Sequence, residues 1–289
     1  MNILICGASG FVGRNLGRVL SDAGHTVIRA VRQPSEKGDI AVDFRNDTAK
    51  ETWLPRLQGL DAVINAIGVL RDSPGNPMQK LQAETPVALY AACAEAGIKR
   101  IVHLSALGVD SGIVVPYFTT RLVAEAALRD LPPAIHWLCL RPSVIYGEDG
   151  TSARMFRILA KLPLQVLPLG GIQELQPVHI DDICSAVMHW LNNPSARSQT
   201  VEAVGAEPTT MRGMLDSYRK QMNCSPALHI AMPRFMVKLA ARAGDLFPSS
   251  PLCSDTYEMM AAGNTAPVDG FAKLLGRAPR SYREFIGRN

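Results

Sequence analysis

The stretch Asn2-Ile3-Leu4-Ile5-Cys6-Gly7-Ala8-Ser9-Gly10-Phe11-Val12-Gly13-Arg14-Asn15 decides the fold. The short apolar run Ile3 to Cys6 suits a buried strand, and Gly7 opens a turn after it. Beyond Gly13, the apolar residues Leu16, Val19 and Leu20 recur at helical spacing. The unit reads strand, glycine turn, helix. Gly7 permits the tight turn, Gly10 lets a ligand approach the backbone, and Gly13 lets the helix pack against the strand. The unpaired N–H groups at the start of that helix favour an anion. The spacing is G-x-x-G-x-x-G, and its place between a buried strand and a periodic helix favours a dinucleotide over an ordinary glycine-rich turn. Gly7, Ser9, Gly10, Phe11, Val12, Gly13 and Arg14 are the expected cofactor-binding residues of this turn.

Composition fits that reading. The chain has 289 residues, 47% apolar and 19% charged, with a net charge of +4. That is an ordinary globular balance with material for a large core, and no basic run points to nucleic acid. The six cysteines lack C-x-x-C or paired-histidine spacing, so reduced thiols are expected rather than a metal site or disulfides. The opening residues lack a basic n-region and a small-residue cleavage site, and no stretch reaches the length of a membrane span. A cytoplasmic location is the expectation.

Residues 26–31 predict a second strand, and the residues after it bear on the choice of cofactor. An acidic residue there would hold a ribose 2′-hydroxyl; the chain has Arg32-Gln33 instead. Arg32, with Arg14 as partner, points to a 2′-phosphate and so to NADP(H), with NAD(H) or two solvated arginines as the alternatives. Residues 39–44 predict a short strand ending at Asp43-Phe44, which either flanks an adenine or forms a simple turn. Residues 61–68 predict a buried strand whose small end, Ala66-Ile67-Gly68, admits a ligand. A helix is expected over 78–96, stopped by Gly97, followed by a strand at 100–106. Strands and helices alternating in this way argue for a parallel sheet covered on both faces.

Tyr117, Arg121 and Glu125 stand at i, i+4 and i+8 and share one helical stripe. A phenol needs a neighbouring positive charge to exchange protons near neutrality, and arginine supplies charge without relaying a proton. The plain alternative is a surface helix with an Arg121–Glu125 pair. His179 and Asp181 read as a helix entry, with Asp181 or Asp182 as cap, rather than as an acid–base pair. Further elements are expected near 135–140, 152–161, 200–204, 210–222, 234–246 and 255–262. The segment from Arg234 mixes basic and apolar residues; core packing is expected for it, against docking to a membrane surface or a protein partner.

The segments Gly7–Gly13, Ala96–Gly108, Tyr117-x-x-x-Arg121-x-x-x-Glu125, Arg141–Gly147 and Gln176–Asp182 together resemble the extended or atypical short-chain dehydrogenases/reductases. The likeness is nearest to the branch holding the NAD(P)H-binding accessory subunit of respiratory complex I and its bacterial relatives. The resemblance implies a Rossmann-type doubly wound α/β sheet over residues 1–165. Residues 166–289 would add its last elements and a small, mostly helical lobe for substrate or partner, with a ligand bound between core and lobe. It implies an oxidoreductase or epimerase-like protein acting on an unidentified carbonyl or alcohol, with Tyr117 as proton donor and Arg121 holding the ribose. The rival reading is an NADPH-binding protein without turnover that docks a partner. Ser105 and Pro142 are expected near the nicotinamide. The family's Tyr-x-x-x-Lys has become Tyr117-x-x-x-Arg121, and its Ser/Thr position falls on Ala106.

Overall fold

The sheet grows outward from β1 (Asn2–Cys6), whose residues Ile3 to Cys6 are fully buried. A continuous apolar run is what a parallel strand covered on both faces requires. In chain order there follow α1 (Phe11–Asp22), β2 (Thr26–Val31), β3 (Ile40–Ala41), α2 (Lys50–Trp53), β4 (Ala62–Asn65), α3 (Thr85–Ala96), β5 (Arg100–Leu104), α4 (Pro116–Arg129) and β6 (His136–Pro142). Next come β7 (Ile145–Tyr146), α5 (Thr151–Lys161), β8 (Leu164–Pro168), β9 (Glu174–Leu175), β10 (Val178–His179), α6 (Ile180–Asn192) and β11 (Gln199–Ala203). The last are β12 (Thr209–Thr210), α7 (Met211–Gln221), β13 (Leu228–Met232), α8 (Arg234–Asp245), α9 (Ser254–Ala261) and α10 (Asp269–Leu275). This computed structural model describes residues 1–247, 250, 252–261 and 263–287.

The main sheet has the order β11-β6-β5-β4-β1-β2-β3, and the pairings from β3 through β6 are parallel. Ile3 of β1 faces Val27 on one side and Ala62 on the other. The strand order therefore reverses at β1, and such switch points leave a crevice at the carboxyl ends of the strands. This is the doubly wound Rossmann-type arrangement. Its core includes Leu4, Trp53, Leu89, Tyr90 and Ile101.

The chain divides into two compact units, Met1–Arg141 with Cys184–Val201, and Pro142–Ile183 with Glu202–Asn289. The division is not a single cut near residue 165, because α6 and β11 return to the first unit. Arg100 shows what holds that return, donating to the carbonyls of Trp190 at 2.9 Å and Asn193 at 2.7 Å. The second unit is mostly helical, as expected, with short strand pairs added. Beside α5 and α7 to α10 it has two-stranded pairs β7–β10, β8–β13 and β9–β12. Its core gathers Tyr146, Phe156, Leu215, Tyr218 and Phe285.

Several local departures have identifiable causes. The strand expected over 39–44 stops at Ala41, because the Asp47 carboxylate takes the Asp43 amide and turns the chain. The helix expected from Met78 opens as a π-turn over Lys80–Glu84 before α3, while Gly97 ends it in the left-handed region at φ 75°. Asp182 is not a cap. Its fully buried carboxylate accepts from Arg277 Nη2 at 2.6 Å and the Arg280 amide at 2.7 Å, and the His179 Nδ1 receives the Asp181 amide instead. Helix α8 also departs from core packing: only Val237, Ala241 and Gly244 are buried.

Candidate functional site

The turn after β1 is shaped by what its glycines lack. Gly7 has φ +81°, and a Cβ on Gly13 would lie 2.1 Å from the Gly7 carbonyl oxygen. No side chain fits at Gly13. The Gly10 amide donates to the Gly7 carbonyl at 2.9 Å, and Gly10 then stands as the N-cap of α1. No side chain caps that terminus, and no acidic residue occupies its first turn. The first-turn amides and the positive end of the helix dipole are thus left for an anion.

A cleft of about 230 Å³ opens beside this turn, at the β1 switch point. Of the sequence-predicted residues, Gly7, Ser9, Gly10, Arg32, Asp43, Phe44, Ala66, Ile67 and Gly68 line it. Phe11, Val12, Gly13, Arg14, Ser105 and Pro142 are not among its lining residues. Phe11, Val12 and Gly13 form the first turn of α1 behind it, and Pro142 closes β6. Sequence reasoning missed Arg45, Asn76 and Leu81, which also line it. Only their proximity to Asp43 or to the loop before α3 could have raised them.

The two arginines expected as a clamp lie apart. Arg32 lines the cleft, where it makes no hydrogen bond or ion pair among the described residues. Arg14 lines a neighbouring groove with Arg18 and Arg29, and its guanidinium donates to the Ser9 carbonyl at 2.6 Å. Asp43 is saturated by Arg45, whose Nε and Nη2 donate at 2.8 and 2.7 Å, and by Asn46 at 2.9 Å. The Arg45 hydrogen bonds hold the Asp43 carboxyl down at about 2. Phe44 is 2% exposed, with its ring edge-on to Trp53 at 5.3 Å, so the ring serves the core.

The α4 stripe has a different geometry from the surface pair that its spacing also suggested. Arg121, 5% exposed, lies over the Tyr117 ring at 4.6 Å and donates to the Leu104 carbonyl at 2.7 Å. A Cβ on Gly68 would lie 2.4 Å from Arg121 Nη2, so the glycine makes room for this guanidinium. Glu125 does not pair with Arg121. It is 1% exposed and receives Arg141 through Nε at 3.0 Å and Nη2 at 2.7 Å, and Arg129 at 3.4 Å.

Ser105 donates to the same Glu125 carboxylate at 2.6 Å. Its one hydroxyl proton is committed there. Burial pushes the Glu125 carboxyl up, but the Arg141 and Ser105 hydrogen bonds outweigh it and hold the group below its usual range. Nearby, the Tyr90 hydroxyl lies 2.8 Å from His103 Nδ1, and burial, helped by the Arg121 charge, pushes His103 down to about 3. The imidazole is neutral at physiological pH. The Tyr117 hydroxyl has no hydrogen-bond partner among the described residues.

Comparison with known proteins agrees with this architecture. The rat mitochondrial NADH dehydrogenase [ubiquinone] 1 alpha subcomplex subunit 9 is 24% identical over 86% of this chain and 68% of its own length. Dihydroflavonol 4-reductase of Zea mays is 26% identical over 69% of each chain. A human epimerase family protein, SDR39U1, solved with NADPH, superposes with a TM-score of 0.74 at 18% identity, covering 99% of this chain and 96% of that one. MoeE5, solved with UDP-glucuronic acid and NAD, superposes at 0.73 with 19% identity over the same shares. The model of the NAD dependent epimerase/dehydratase family matches residues 3–205, and the chain belongs to that family.

Proposed function

We propose that this protein holds NADP(H) at the β1 switch point without turning it over, as a fold-stabilising or redox-reporting subunit for a partner. The cleft and turn fit a dinucleotide: the glycines leave no Cβ where a pyrophosphate would approach, and the uncapped α1 terminus supplies amides to it. Arg32 is the residue that would meet a 2′-phosphate, with Arg45 already engaged by Asp43. When bound, the nicotinamide would supply hydride chemistry; this chain's own residues would bind and orient the cofactor.

The commitment of the α4 stripe carries the reading against turnover. Arg121 cannot relay a proton and is fixed between the Tyr117 ring and the Leu104 carbonyl, while Ser105 donates to Glu125. A proton leaving Tyr117 has no side-chain relay in this stripe. The resemblance to the mitochondrial complex I subunit supports a partner-bound role as well. One observation favours catalysis: the unpartnered phenol of Tyr117 would serve as acid toward a carbonyl substrate. That is the second reading.

Calorimetric titration with NADPH and NADH, in wild type and Arg32→Ala, tests the binding. NADPH should bind preferentially, and the substitution should weaken it by about tenfold or more, as loss of a charge-assisted contact implies. Bound NADPH should then persist through a panel of aldehydes and ketones, equally in wild type and Tyr117→Phe. Consumption that Tyr117→Phe abolishes would establish the second reading instead.

A further inference from the structure

Helix α8 and the strands before it leave a large apolar surface unpartnered. Phe235 is 71% exposed, Leu239 67%, Leu246 78% and Phe247 62%, with Met236 beside them at 46%. Phe235, Leu239 and Leu246 fall at i, i+4 and i+11, one stripe on the helix. Arg234, Lys238 and Arg242 fall at i, i+4 and i+8, a parallel band next to it. All three are exposed and make no hydrogen bond or ion pair among the described residues. Val237, Ala241 and Gly244 occupy the remaining arc and are buried. A Cβ on Gly244 would lie 1.8 Å from the Leu252 carbonyl oxygen, which fixes how closely that arc is seated.

The chain enters α8 directly from β13, and this ribbon has the same character. In the β8–β13 pair, Leu164 stands opposite Leu228 and Val166 opposite Ile230. All four are exposed, while Gln165 and Leu167 between them are buried. Alternation places the four aliphatic side chains together on the outer face. Soluble surfaces rarely concentrate bulky apolar side chains in this way without something to cover them.

We infer that α8 and the β8–β13 ribbon form a docking surface for an anionic lipid bilayer, with the apolar side chains entering the interface and the basic band meeting the headgroups. Charge decides for this occupant. An interfacial helix carries an apolar face beside Lys and Arg, and such cations are attracted to anionic lipid. A second copy of the chain would bring the same basic band and apolar stripe, and α8 holds only one acid to set against three cations. Asp245, the one acid of α8, is engaged by the amide and hydroxyl of Ser254 at 2.8 and 2.6 Å. No helix among the described residues is long and apolar enough to cross a membrane, so the association is peripheral.

Flotation of the full chain with vesicles tests this, comparing phosphatidylcholine mixed with phosphatidylglycerol against phosphatidylcholine alone. The protein should float with the anionic vesicles, and added salt should release it. Binding should fall about fivefold for each charge removed in Lys238→Gln and Arg242→Gln, and about tenfold or more in Phe235→Ser/Leu239→Ser. Unchanged melting temperatures in these surface variants confirm that folding is not the cause. Failure to float with either vesicle, or flotation indifferent to salt and to both sets of variants, overturns the proposal. Self-association in light scattering that Phe235→Ser/Leu239→Ser abolishes, without flotation, overturns it in favour of a second copy.

Discussion

The glycine turn and the α4 stripe both lie in the first unit, and they solve opposite problems. At the turn, specificity comes from missing side chains: Gly7 and Gly13 clear the backbone, and the α1 amides stay unsatisfied. At the stripe, side chains satisfy one another, with Glu125 taking Arg141, Arg129 and Ser105 while Arg121 binds Leu104. One region is built to be completed by a ligand. The other is completed by the chain. Motif spacing presents the two as a single machine, and the hydrogen bonds separate them.

The largest expected effect is at the stripe. Glu125→Ala takes from the buried Arg141 guanidinium its two-point carboxylate partner and should cost roughly 3–5 kcal/mol in denaturant unfolding. Dinucleotide affinity per folded molecule should barely change. Pairing it with Arg141→Met should recover much of the stability, which a double-mutant cycle would read as coupling. An equal loss of affinity and stability in Glu125→Ala would break the comparison.

Gly13→Ala should show the reverse pattern. The added Cβ meets the Gly7 carbonyl, so about 1–3 kcal/mol of strain is expected in thermal melting, while NADPH binding falls far more than it does in Glu125→Ala. Retained binding would mean that the turn is not the anion site.

His103 supplies the smallest effect at neutral pH and a growing one in acid. Its folded value near 3 lies below the unfolded 6.5, so between them the unfolded chain binds the extra proton. Stability is full above 6.5 and falls as pH drops toward 3, with a slope from this group of at most about 1.4 kcal/mol per pH unit. His103→Asn should flatten that part of the pH–stability curve. A curve unchanged by the substitution would show that Glu125 and its neighbours, rather than the imidazole, set acid sensitivity.

The sequence makes the strands and the turn legible because local rules dictate them. Continuous apolar runs specify buried parallel strands, and Gly13 is required by an atom only six residues away. The fate of Arg121 and Glu125 was not legible, because Leu104, Ser105 and Arg141 come from neighbouring strands in space. Asp182 is a sharper case: its position after β10 suggested a cap, and its partners lie almost a hundred residues further on. The short α10 was missed for want of a capping side chain and of the length that makes periodicity visible. The exposed face of α8 has the composition of a core-facing stripe, and composition alone does not say which way a stripe turns.

The Asp182 clamp also sets a timetable for synthesis. Arg277 follows it by 95 residues, so at a ribosomal rate of about 5–20 residues per second the carboxylate waits roughly 5–20 s for its guanidinium. During that interval the start of α6 carries a charge whose buried site does not yet exist. The second unit therefore closes late, only once Arg277 has been made, while the strands from β1 to β6 have long been available to pair. A nascent chain stalled before Arg277 should be cut by protease near residue 182 and resist it in the sheet.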